Sequence, residues 1–182
     1  MAADIGLMSD FSMILKAVLS QYRLQLNATH GISHWARVLE NGRRLAPVTG
    51  ATVQVVELFA ILHDSQREKE GGDHDHGHRA AQFVSSLRGM IDLPDSDFRL
   101  LLEACDCHTR GADSNADVTV LTCLDSDRLD IPRVGMRIKT ELLYTGAAKD
   151  PDILRWASTR AERRIVPDLV RTEWQIEDSI FS

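Results

Sequence analysis

Residues 52–63 form a nearly continuous apolar stretch that ends in two adjacent titratable side chains, His63 and Asp64. An apolar segment of this length must be buried, and its length favours a helix over a strand, although the β-branched Val53, Val55 and Val56 pull the other way. It falls far short of the roughly 20 residues that a bilayer span needs. The His-Asp pair at its end is the stronger constraint. A charged group at the end of a buried run must be paired, hydrogen-bonded or bound to a metal to offset its desolvation.

The rest of the chain reads as helices. Leu7, Phe11, Ile14, Leu15, Val18 and Leu19 keep the three-and-four spacing of an amphipathic helix that continues to about Leu26. After a turn over 27–31, a second helix runs from Ser33 towards Leu39, where Asn41-Gly42 is expected to stop it. Residues 66–75 are charged and contain Gly71-Gly72, which predicts a solvated loop. Helices are expected over 76–90, 96–109 and 116–129, with Asp95 or Ser96 as a cap behind Pro94. Pro132 and Gly135 break the chain, and 137–144, 150–164 and 167–180 read as further helices. With no alternating strand pair and no repeat, the expected fold class is all-α: a compact multi-helix bundle forming one domain over 1–182.

The formal net charge of −6 argues against a general nucleic-acid binder, and a hydrophobic content of 43% suffices for a real core. No basic stretch followed by a small-residue cleavage site opens the chain, and Cys105, Cys107 and Cys123 make a poor disulfide framework. A reducing cytoplasm is the expected setting. Cys105-x-Cys107-His108 lacks the second Cys/His pair that a structural zinc site needs.

His34 lies near the start of one predicted helix and Asp127 on another that is otherwise apolar. Helices that converge in a bundle can bring these side chains to His63 and Asp64, as bundle-core metal sites do. Two imidazoles and two carboxylates suit a divalent ion with open water positions: Mn, Fe, Ni, Co, Mg or Zn. His30 is the rival of His34, and Asp125 and Asp130 are rivals of Asp127.

Five segments, HGISHWARVLENG (30–42), ILHDSQREKE (61–70), HDHGHRAAQFV (74–84), LLEACDCHTRG (101–111) and LDSDRLDIPRVG (124–135), resemble in order and spacing the successive signatures of the HD-domain superfamily of metal-dependent phosphohydrolases. The resemblance implies a five-helix core within 30–135, to which a helix at 7–26 and helices at 137–180 are additions. It also implies a metal held by His34, His63, Asp64 and Asp127, with Asp64 orienting a water as well. His108 falls where some members place a further histidine, for a second metal or for acid catalysis. His76 is favoured over His74 and His78 because Gly77 and a helical Ala80-Ala81 follow it.

The four ligands complete the shell of one ion, and a second would require the glycine-flanked tract around His76 to be ordered, at roughly 1–2 kcal/mol per residue. One tightly held ion is therefore expected. A phosphate substrate needs cations, and Arg37, Arg128 and Lys139 are the expected contacts among Arg67, Lys69, Arg79, Arg110 and Arg133. The implied activity is hydrolysis of a small-molecule phosphate ester or phosphoanhydride, a nucleotide by analogy. A di-iron oxygenase on the same scaffold and a non-catalytic metal- or nucleotide-binding regulator are the alternatives. Oligomeric state is not readable from the sequence.

Overall fold

The protein is described by a computed structural model over residues 2–181; the side chains of 2–10 and 178 lie outside the described set, Leu7 of the N-terminal apolar stripe among them. The described residues are helical, without a strand. Eight α-helices follow one another: α1 (Ala2–Gln21), α2 (Ile32–Thr49), α3 (Val53–Leu62), α4 (His76–Ser86), α5 (Asp95–Cys107), α6 (Val118–Arg128), α7 (Pro151–Glu162) and α8 (Leu169–Thr172). None of them is long and apolar enough to cross a membrane.

The apolar run is α3, and it is central. It packs on α2, α5 and α6, and Val55, Val56, Phe59, Ile61 and Leu62 are almost wholly buried. Trp35 and Leu39 of α2, Leu101 of α5 and Leu124 of α6 close around it. Burial of each such side chain is worth about 1.5–3 kcal/mol.

Asn41-Gly42 does not stop α2, which runs on to Thr49. Asn41 is buried and its Nδ2 donates to the carbonyl of Ser126 at 2.9 Å, while a Cβ on Gly42 would lie 2.3 Å from Val56 Cγ1. Both residues serve the contacts of α2 with α6 and α3, so tertiary packing overrides their turn propensity. The helix ends instead at Gly50, whose φ of 79° lets its N–H close on the Ala46 carbonyl.

Other boundaries also differ from the sequence reading. Helix α1 ends at Gln21, and α4 ends at Ser86. Pro94, rather than Asp95 or Ser96, precedes the first turn of α5, and the Asp95 carboxylate accepts from Arg88 at 2.8 Å. Residues 137–144 form only a short 3-10 turn at Thr140–Leu142, because the backbone amides of Tyr144 and Thr145 are taken by the buried Asp125 carboxylate. Residues 167–180 hold the short α8 and a 3-10 turn at Asp178–Phe181. The C-terminal part is packed down: Leu143, Ala148 and Ala157 form an apolar cluster with Leu45 and Leu129, and Leu169, Val170 and Trp174 join the main core.

Candidate metal centre

Because α3 ends at Leu62, His63 and Asp64 stand where the buried helix meets the pocket, both essentially without solvent contact. Helix α2 contributes His34 from its first turn and α6 contributes Asp127 from its last. His76 begins α4, and His108 directly follows α5. The packing of α2 on α3 and α6, and of α4 on α5, brings all six side chains together in two groups of three. His34, His63 and Asp127 make one. Asp64, His76 and His108 make the other.

Asp64 faces both. Its Oδ2 lies 3.5 Å from His34 Nε2 and 3.7 Å from His63 Nε2, while its Oδ1 lies 2.9 Å from His76 Nε2 and 3.6 Å from His108 Nε2. Asp127 Oδ1 stands 3.4 Å from His34 Nε2 and 3.8 Å from His63 Nε2.

The outer nitrogens fix the state of the inner ones. His34 Nδ1 sits 2.7 Å from Asp130 Oδ2, His63 Nδ1 3.1 Å from the Phe59 carbonyl, and His108 Nδ1 2.7 Å from the Cys105 carbonyl; His76 Nδ1 meets the Asp73 carbonyl. These partners only accept, so each Nδ1 carries the proton of the neutral ring and each Nε2 presents a lone pair. The lone pairs converge: His34 Nε2 and His63 Nε2 are 3.1 Å apart, and His76 Nε2 and His108 Nε2 are 2.8 Å apart. Two lone pairs cannot satisfy each other. Four of them beside two carboxylates form an electron-rich donor set, and the borderline N/O character fits a divalent transition ion.

The electrostatics agree. Burial pulls His63 down to about 3, against the opposing charges of Asp64 and Asp127, so its ring stays neutral and ligand-ready. Burial also opposes ionisation of Asp64, but His63 and, where their rings are protonated at Nε2, His108, His34 and His76 outweigh it and hold the carboxyl well below its usual range. Burial lowers His108 as well; the hydrogen bond and charge of Asp64, with the charge of Asp127, overcome it and raise the imidazole above its usual value. The site attracts positive charge.

A cavity of about 230 Å³ opens onto these residues, walled by Asp64, His76, His108, Asp127, the Gly71-Gly72 turn, and the cations Arg67 and Arg133. The loop over 66–75 thus lies at the mouth of the site. It is held by polar contacts that the sequence reading as solvated chain did not anticipate. Arg67 and Asp73 are buried, Arg79 bonds both Asp73 oxygens at 2.8 and 2.7 Å, and Arg67 Nη2 donates to the Gly71 carbonyl. His76 is buried with it. The ordering cost weighed against a second ion is therefore met by the folded chain, and the described residues contain two groups of three that could each hold an ion.

Of the rival ligands, His30 pairs with Glu70 at 2.6 Å, and Asp125 accepts from Tyr144 and Thr145. His78 bonds Asp106 at 2.9 Å from an exposed position, and His74 reaches only the cavity rim. The three expected substrate cations are placed elsewhere. Arg37 is buried, with Nε 2.6 Å and Nη2 3.0 Å from the Asp130 carboxylate and Nη1 on the Ile165 carbonyl. Arg128 stacks on Tyr144 and donates to the Leu142 carbonyl, and Lys139 is exposed away from the cavity walls. Asp130, considered only as a competitor of Asp127, instead backs His34. The sequence signal for it was Arg37 itself, a cation three residues from His34 on the same helical face, which once buried needs an acid partner.

No family model matches the sequence, and no curated protein does. Among solved structures the chain is similar to the crystal structure of a predicted HD superfamily hydrolase from an uncultured Thermotogales bacterium, with a TM-score of 0.62 and 24% identity, covering 83% of this chain and 86% of that one. The fold is therefore HD-domain-like, as the order of the five sequence segments implied.

Proposed function

We propose that the protein is a metal-dependent phosphohydrolase whose centre is held by His34, His63 and Asp127 on one side and His76 and His108 on the other, with Asp64 serving both. The observation that carries this reading is the convergence of four imidazole lone pairs and two carboxylates. A bound divalent ion supplies a polarised phosphoryl oxygen and an acidified water.

The chain's own groups do the rest. Asp130 keeps the His34 proton on Nδ1, and Arg37 holds Asp130 in place through two hydrogen bonds. The Phe59, Asp73 and Cys105 carbonyls orient the other rings in the same way. Arg67 and Arg133 put positive charge on the cavity wall, where an anionic substrate enters. Among the described residues no Phe, Tyr or Trp lines the walls, which offer a phosphate the charge of Arg67 and Arg133 but no ring on which a base could stack. The substrate class is a phosphate ester or anhydride, with nucleotides first to be tried.

The test is release of inorganic phosphate by chelator-stripped protein from a panel of nucleotide, sugar and artificial phosphates, with each of Mn, Fe, Ni, Co, Mg and Zn restored. Turnover that depends on the metal and is lost in Asp64→Ala is expected; an inert panel with full metal occupancy would favour the regulator reading. The pairing of two ligand groups through Asp64 also suits a di-iron oxygenase. Iron bound as purified, with oxygen consumption and no phosphate release, would favour that instead.

A further inference from the structure

Arg67 is placed differently from the other cation of the cavity. It is buried, and its Nη1 lies 3.1 Å from His76 Nε2 and 3.4 Å from Asp64 Oδ1, two of the three ligand atoms of the second group. Nη2 is tied to the Gly71 carbonyl at 2.9 Å, and Nε is buried with no partner. Arg133, by contrast, has Nε on the Thr29 carbonyl and Nη1 on the Asp130 carbonyl, and its charge acts on Asp127 without a hydrogen bond to a ligand atom. Among the described residues no guanidinium bonds a nitrogen of His34 or His63, and Arg37 reaches His34 only through the Asp130 oxygen that both contact.

We infer that Arg67 is the internal counter-cation of Asp64, His76 and His108, so that a divalent ion enters this group only against Arg67, and its affinity is lowered beyond what its smaller donor set alone would give. An ion bonded to His76 Nε2 at about 2.1 Å stands no farther than roughly 5 Å from Nη1 where it now lies. At that distance, in a buried site, two like charges repel strongly. The incoming ion must either tolerate the guanidinium or displace it, and displacement breaks the bond to Gly71 and both contacts to the ligands. Each course weakens the second ion more than the first, which meets Arg67 only through the shared Asp64. An arginine is suited to this role because it keeps its charge at every working pH.

The inference rests on the proposed metal centre, and one experiment separates the two. Chelator-stripped wild type, Arg67→Gln and Arg67→Lys are titrated with Mn²⁺ alone by calorimetry, with metal content counted after gel filtration. Wild type should bind two ions in resolved steps at least tenfold apart. Arg67→Gln removes the charge and should bring the second step at least tenfold closer to the first, with the first moved less than the second; Arg67→Lys, which keeps the charge, should resemble wild type. A glutamine variant whose second step is unchanged or weaker overturns the inference while leaving the metal centre standing. Two equal, tight steps in wild type overturn it without recourse to any variant, should the glutamine chain fail to fold. Absence of any binding in wild type refutes the metal centre itself.

Discussion

At the scale of single residues, the site depends as much on what holds the imidazoles as on the imidazoles. His63 and Asp64 stand out in the sequence because polar groups closing a buried run require partners, and His34 through the resemblance of its segment. Asp130 does not, since nothing local distinguishes it from Asp125 or Asp127; only the fold shows which of the three backs a ring, which is held by Tyr144 and Thr145, and which faces the cavity. Asp130→Asn should weaken metal binding about 10–100-fold, because an amide can offer its N–H to His34 Nδ1 and reverse the tautomer. An isotherm identical to wild type would contradict this. A second prediction concerns pH. Against burial, the hydrogen bond and charge of Asp64 raise His108 above the ordinary imidazole value, so in the metal-free protein a proton competes with an ion for its Nε2. Binding to Asp64, His76 and His108 should therefore be full at higher pH and weaken as pH falls and His108 takes up its proton. His63, at about 3, adds no such dependence there. A second binding step unchanged between pH 8 and pH 5.5 would contradict the assignment.

At the scale of elements, the helical periodicity located α2 to α7, and the apolar run located the central α3. What it could not supply were ends set by tertiary contacts: the passage of α2 through Asn41-Gly42, and the irregular 137–144 segment pinned by Asp125. Nor could it locate the close approach of α4 to α5, which brings His76 to His108. Gly77 permits that approach. A Cβ there would lie 2.8 Å from the Cys105 carbonyl oxygen and 3.2 Å from His108 Cε1. Gly77→Ala should thus move α4 away and abolish the second binding step while the first survives. Gly42→Ala, which meets Val56 rather than the site, should lower stability by about 1–3 kcal/mol and leave both steps in place. Denaturant melts beside metal titrations separate the two effects.

At the scale of the whole molecule, the added C-terminal elements are bound to the signature-bearing helices through the cluster of Leu45, Leu129, Leu143, Ala148 and Ala157, and Arg37 ties the Ile165 carbonyl to Asp130. We propose that 1–182 unfolds as one unit. Leu129→Ala, at a fully buried site, should cost about 2–5 kcal/mol and lower a single calorimetric transition, whereas two separable transitions would mark independent parts. The bundle was legible in the sequence because it follows from local pattern, and the candidate ligands because their segments resemble a family's signatures. The sharing of Asp64 was not, since it depends on where five separate chain segments meet. Anomalous diffraction from a crystal of the protein loaded with Mn²⁺ examines that sharing directly. The account predicts two peaks, one ligated by His34, His63 and Asp127 and one by His76 and His108, with an oxygen of Asp64 on each. A lone peak at saturating metal, or peaks that leave Asp64 uncoordinated, would contradict it.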